Sequence, residues 1–184
     1  MHTQDQNHRQ TMRLFVAVRL ESPVLDSLSQ VRAELKRSGA SGSFPSPENY
    51  HITLAFIGEY PDARKVKNAL NDVRFSAFRI ELSGLGTFGD TLWAGLRREP
   101  QMENLALTVR RALDSAGIPS DPKPFRAHIT LGRRLSSETV DPRRVEVREA
   151  GMTVHSFSLM RSQFGERGMI YTELARIEAE RNTI

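Results

Sequence analysis

The chain has 184 residues, 26 Lys and Arg against 22 Asp and Glu, a formal charge of +4 and no Cys. That length suits one compact domain or one domain of two similar lobes, and 39% hydrophobic with 26% charged residues predicts a folded, soluble core. No apolar run approaches the ~20 residues of a membrane span, and the lack of Cys excludes disulfides, thiolate metal sites and Cys nucleophiles while suiting a reducing cytoplasm.

Residues 1–11 (MHTQDQNHRQT) are polar, lack an apolar signal-like stretch and read as a mobile tail ahead of a single domain over 12–184. Met12–Leu20 alternates and then turns fully apolar, a strand. Ser22-Pro23 supplies a cap residue and a Pro for the first helical position; Val24, Leu28, Val31 and Leu35 share one helical face, and Gly39 ends it. A Gly/Ser/Pro loop over 40–49 leads to a strand at 50–57, closed by Gly58. A second helix is predicted at 62–73, then strands at 75–82 and 91–96 with a Gly-rich turn between them. Residues 101–116 form a third helix, with Met102, Leu105, Val109 and Leu113 on one face and Gly117 as its stop. A Pro-rich loop precedes a strand at 126–132, and further strands are predicted near 145–148, 152–164 and 169–175.

One word is repeated. His-Ile-Thr-Leu occurs at 51–54 and again at 128–131, 77 residues apart, each time after a Pro-containing loop and shortly before a Gly. The pattern suggests duplication of one lobe. On a strand, alternate residues share a face, so His51 and Thr53 point one way and Ile52 and Leu54 the other. His128 and Thr130 separate from Ile129 and Leu131 in the same manner. If the apolar pairs lie under helices, two His and two Thr converge on one open cleft. That set suits a phosphodiester. One imidazole takes a proton from water, the other gives one to the leaving oxygen, and two hydroxyls hold the phosphate oxygens. From the residues alone either His can be the acid. A zinc site wants three or four ligands, and the motifs supply two His and no carboxylate, so neither metal nor cofactor is expected.

The two H-x-T-x words resemble those of the two-histidine phosphoesterase superfamily. MRLFVAVRL, PENYHITLAFIGE and PFRAHITLGR are similar to the RNA 2',3'-cyclic phosphodiesterases, formerly called 2'-5' RNA ligases, and the likeness runs from about Met12 to Ala175. The resemblance implies an α+β fold of two pseudo-symmetric lobes, each an antiparallel sheet backed by helices, around a central cleft. It implies hydrolysis of an RNA 2',3'-cyclic phosphate end to a 2'-phosphate, and a weak ATP-independent 2'-5' ligation. It makes His51 the proton donor, His128 the acceptor, and Thr53 and Thr130 the phosphate ligands. The expected partner is an RNA with a cyclic phosphate end, and the expected protein is a cytoplasmic monomer.

Other candidates carry a plain structural reading beside the functional one. Arg126, two residues before His128, lies by strand alternation on the same face and is a candidate fork donor for phosphate. Arg133 and Arg134 either track an RNA backbone or are solvated strand ends. Phe44 and Phe125 either stack on a base or pack in the core. Tyr171, in the last strand, either lines the cleft or is a core Tyr, and the turn over 161–168 is within reach of a substrate. His155 lacks a Thr partner and reads as structural. Two other functions fit the motifs: a phosphodiesterase for a small nucleotide, such as a cyclic ADP-ribose phosphate or 2'-5' oligoadenylate, and a non-catalytic RNA-binding module.

Overall fold

The computed structural model describes residues 11–136, 141, 145–166 and 168–181. The tail expected over 1–11 lies, but for Thr11, outside them. The described residues form eight strands and three α-helices: β1 (Met12–Arg19), α1 (Val24–Arg37), β2 (His51–Tyr60), α2 (Ala63–Asn71), β3 (Phe78–Phe88), β4 (Thr91–Leu96), α3 (Pro100–Ser115), β5 (His128–Gly132), β6 (Gly151–Val154), β7 (Ser156–Gly165) and β8 (Gly168–Glu178). The fold is α+β.

Amphipathic spacing makes the helices and the sheet needs them. Val24, Leu28, Val31 and Leu35 of α1, Val66 and Leu70 of α2, and Met102, Leu105, Val109 and Leu113 of α3 are buried in one cluster with Ile52, Leu54, Ile129 and Leu131. The apolar residues of both HITL words thus lie under helices, each burial contributing roughly 1.5–3 kcal/mol. β1 is buried on both sides from Leu14 to Val18. Its Phe15 and Ala17 join Met160 in a second, smaller cluster on the opposite face, with Phe56 and Tyr171 packed against it.

The strands make one antiparallel sheet in the order β6-β3-β4-β5-β2-β1-β7-β8. The lobes expected from the repeat are therefore the two four-stranded halves of one continuous sheet, and they meet where the HITL strands meet, through the pair Ile52↔Ile129. Neither half is contiguous in sequence: β1 pairs with β7, and β3 pairs with β6.

Several boundaries differ from the sequence reading. Pro23, not Ser22, is the N-cap of α1, and no side chain caps that helix. The supposed Gly-rich turn is strand: β3 runs through Gly84 and Gly86 to Phe88, and the reversal is at Gly89, in the left-handed region at φ 57°. Gly86 is required there because the Trp93 indole occupies the space a side chain would fill. Residues 145–150 are irregular rather than strand; the Arg148 and Ala150 carbonyls accept bonds from the Ser27 hydroxyl and the Leu82 amide. The strand expected over 152–164 is two strands that break at His155, where the chain leaves β3 and joins β1. Arg126 lies before β5, so strand alternation does not place its side chain.

Candidate active site

Both histidines open a strand. His51 follows a single 3-10 turn, Pro47–Asn49, and His128 follows the Pro-containing segment after α3. Each ring bonds back to the carbonyl two residues earlier. His51 Nδ1–H donates to the Asn49 oxygen at 2.7 Å, and His128 Nδ1–H donates to the Arg126 oxygen at 2.7 Å. This local geometry satisfies a backbone carbonyl outside the ladder and fixes the tautomer. Nε2 of each ring is left for proton transfer, as an acceptor when neutral and a donor when charged.

Around His51 the walls are aromatic. Its ring lies 5.0 Å from that of Phe15 and 5.3 Å from that of Tyr171, which meets it edge-on. Burial lowers the His51 pKa; the Asn49 carbonyl opposes this, and the charges of Arg133 and His128 lower it further. Asn49 also acts through its side-chain amide, which donates to the Met169 carbonyl at 3.0 Å. His51 opens β2 and Met169 lies at the start of β8, so in register they stand at diagonal corners of the half-sheet β2-β1-β7-β8. The twist of a sheet raises diagonal corners over one face, and Asn49 ties them there.

His128 has its own wall. Phe88 meets it edge-on at 5.6 Å and lies 5.0 Å from Trp93. The Arg126 guanidinium sits 6.0 Å over the Phe88 ring, so Arg126 and His128 flank one aromatic side chain. Thr130 pairs across the ladder with Trp93, and Thr53 with Ala17. The residues directly across from the two histidines differ sharply: Arg19 faces His51, whereas Gly95 faces His128. Arg19 reaches Glu173 at 3.4 Å, and Glu173 also accepts from Ser158 at 2.7 Å and from Arg176 at 3.2 Å. Burial pushes the Glu173 carboxyl up, but those bonds and the Arg176 charge outweigh it and hold the pKa below the ordinary value.

The structure brings His51 together with Tyr171, and His128 with Arg126, while Arg133 is near enough to act on His51. Phe44 and Phe125 pack partly buried against the main core. The Phe44 ring fills the space over Gly132, 3.2 Å from where a Cβ would stand, and Phe125 lies under Arg110. Arg134 is exposed and adopts φ 55°. His155 lies at the strand break, and its carbonyl accepts from the Ala179 amide. Four residues of this region escaped the sequence reading: Arg19, Asn49, Phe88 and Glu173. Alternation along β1 from Phe15 carries to Arg19, and Asn49 precedes His51 as Arg126 precedes His128, so both had a signal. Phe88 had none once 83–90 was read as a turn, and Glu173 becomes visible only through strand pairing.

Two imidazoles with fixed Nδ1 protons, two partly buried hydroxyls and a cationic rim suit acid–base attack on a phosphorus centre. Comparison with known proteins points the same way. Residues 18–96 match the LigT-like phosphoesterase family. An RNA 2',3'-cyclic phosphodiesterase of Archaeoglobus fulgidus is 35% identical over 91% of this chain and 100% of its own. One from Aeropyrum pernix is 31% identical over 83% of this chain and 94% of its own. The crystal structure of E. coli LigT with 3'-AMP superposes with a TM-score of 0.77 at 27% identity, over 94% of this chain and 99% of that one. The chain belongs to the RNA 2',3'-cyclic phosphodiesterase family of LigT-like phosphoesterases.

Proposed function

We propose that this enzyme hydrolyses RNA 2',3'-cyclic phosphate ends to 2'-phosphates, with His51 as proton donor and His128 as acceptor. The observation that carries the mechanism is the matched pair of Nδ1–H bonds, which present Nε2 of both rings for proton transfer. Water attacks phosphorus and gives its proton to His128 Nε2. The bond from phosphorus to the 3'-oxygen breaks, and the His51 Nε2–H protonates that oxygen. Thr53, Thr130 and Arg133 hold the non-bridging oxygens as charge shifts onto them. Arg126 and Tyr171 border the substrate through Phe88 and His51. The lowered His51 pKa makes its imidazolium a stronger acid, and the substrate's negative charge offsets Arg133 and keeps that proton in place.

A 5'-hydroxyl in place of water joins two strands by a 2'-5' bond through the same two proton transfers, without ATP. Among the described residues no helix is long and apolar enough to cross a membrane. The reading is of a monomer acting in the cytoplasm.

The test is turnover of a short RNA ending in a 2',3'-cyclic phosphate, in excess EDTA, followed by ³¹P NMR. Conversion to a 2'-phosphate is expected, with His51→Ala and His128→Ala each lowering kcat by roughly 10²–10⁴-fold in a folded protein. Full activity in either variant would sink the mechanism. A cyclic end bound but unchanged would favour the binding-module reading.

A further inference from the structure

The two HITL strands place the histidines equivalently, yet the residue directly across from each breaks the symmetry. Gly95 gives the His128 side no side chain, whereas Arg19 gives the His51 side a guanidinium. Directly paired residues share a face, with Cα atoms about 4.5–5.5 Å apart. Arg19 therefore rises from the same floor as His51, one strand away. It is half-exposed, yet not loose: Glu173 holds it, and Glu173 is itself held by Ser158 and Arg176. Glu173 is shared between two guanidiniums, and the charges of Glu178 and Glu21 also reach Arg176. Arg19 gives one nitrogen to Glu173, so the rest of its fork is open to another anion.

The reaction sets which anion that is. The 3'-oxygen stays on the ribose when the ring opens. If His51 protonates it, the ribose and the RNA preceding it lie on the His51 side, and water enters from the His128 side. We propose that Arg19, positioned by Glu173, binds the phosphodiester immediately 5' of the terminal nucleotide, so that the RNA strand runs across β2, β1 and β7. The subsite rests on the donor role given to His51 and adds to it the polarity of the bound strand. It makes the enzyme prefer an oligonucleotide end over a nucleoside cyclic phosphate.

The test is a two-by-two comparison of kcat/KM. Wild type and Arg19→Gln are each assayed on a dinucleotide with a 2',3'-cyclic end and on the same dinucleotide with a neutral methylphosphonate at its internal linkage. A nucleoside 2',3'-cyclic phosphate serves as reference. Neutralising the linkage should lower wild-type kcat/KM on the order of tenfold and should lower that of Arg19→Gln far less. Arg19→Gln should lose on the order of tenfold more on the charged dinucleotide than on the nucleoside cyclic phosphate. Equal losses on both substrates overturn the subsite. Equal wild-type rates on the charged and neutral linkages overturn it too, without recourse to a variant. If wild type opens no cyclic phosphate at all, the proposed reaction has failed rather than the subsite.

Discussion

Gly86→Ala tests the wall behind His128. A Cβ on Gly86 would stand 2.2 Å from Trp93 Cζ2 and 2.4 Å from Cη2, whereas ordinary contact begins near 3.4 Å. The indole must withdraw by about 1.2 Å, the difference between those distances. Overpacking of that size costs roughly 1–3 kcal/mol, and each kcal/mol lowers Tm by about 2–4 °C in a chain of this length. The displacement does not stop at Trp93, because Phe88 leans on it and His128 leans on Phe88. A catalytic group moved by about 1 Å can lose about 10²-fold in rate, so kcat should fall alongside stability. Gly84 is the control: it lies in the same strand, and a Cβ there meets nothing within 4 Å. Thermal melts and steady-state kinetics on Gly86→Ala and Gly84→Ala give the answer. If the two variants behave alike in Tm and kcat, the indole does not fill the Gly86 space and the reasoning fails.

Arg133→Met removes a cation that destabilises the His51 imidazolium, so the His51 pKa should rise. With His51 as donor, activity is lost as pH climbs through that pKa, and the alkaline limb of kcat/KM should move to higher pH; movement of the acid limb instead would assign His51 as the base. Asn49→Ala leaves the carbonyl that orients His51 but cuts its tie to Met169. It should cost about 1 kcal/mol in stability and lower kcat by up to about 10²-fold with little change in KM; an unchanged kcat would remove Asn49 from the positioning of His51.

The candidate site was more legible in the sequence than the strand order. His51, Thr53, His128 and Thr130 announce themselves because alternation in a strand is local and the repeat names the same face twice. The buried positions of Ile52, Leu54, Ile129 and Leu131 follow from that rule. What failed was non-local. Gly84 and Gly86 look like a turn until the Trp93 indole that needs the space is seen. The break at His155 depends on which strand each side pairs with, and local pattern does not carry that information. Glu173 lies far from Arg19 in the chain, so their contact exists only through the β1–β7–β8 ladder.

The interleaved strand order has a consequence for synthesis. A nascent chain that has emerged only through β4 contains His51 but neither β5 nor the hairpin of β7 and β8 that flanks β1. The stretch matched by the family model, 18–96, is such a fragment: it begins within β1 and ends with β4. It holds one imidazole and no second, and β1 still lacks a neighbour on one side. Domain-by-domain folding on the ribosome is closed to this topology, since each half of the sheet waits for strands made late. The proposed catalytic pair is completed with β5, but the Tyr171 wall and the Asn49 tie arrive only with β8. Activity is thus a property of the nearly finished polypeptide, and a break in translation before β7 yields no half-active product.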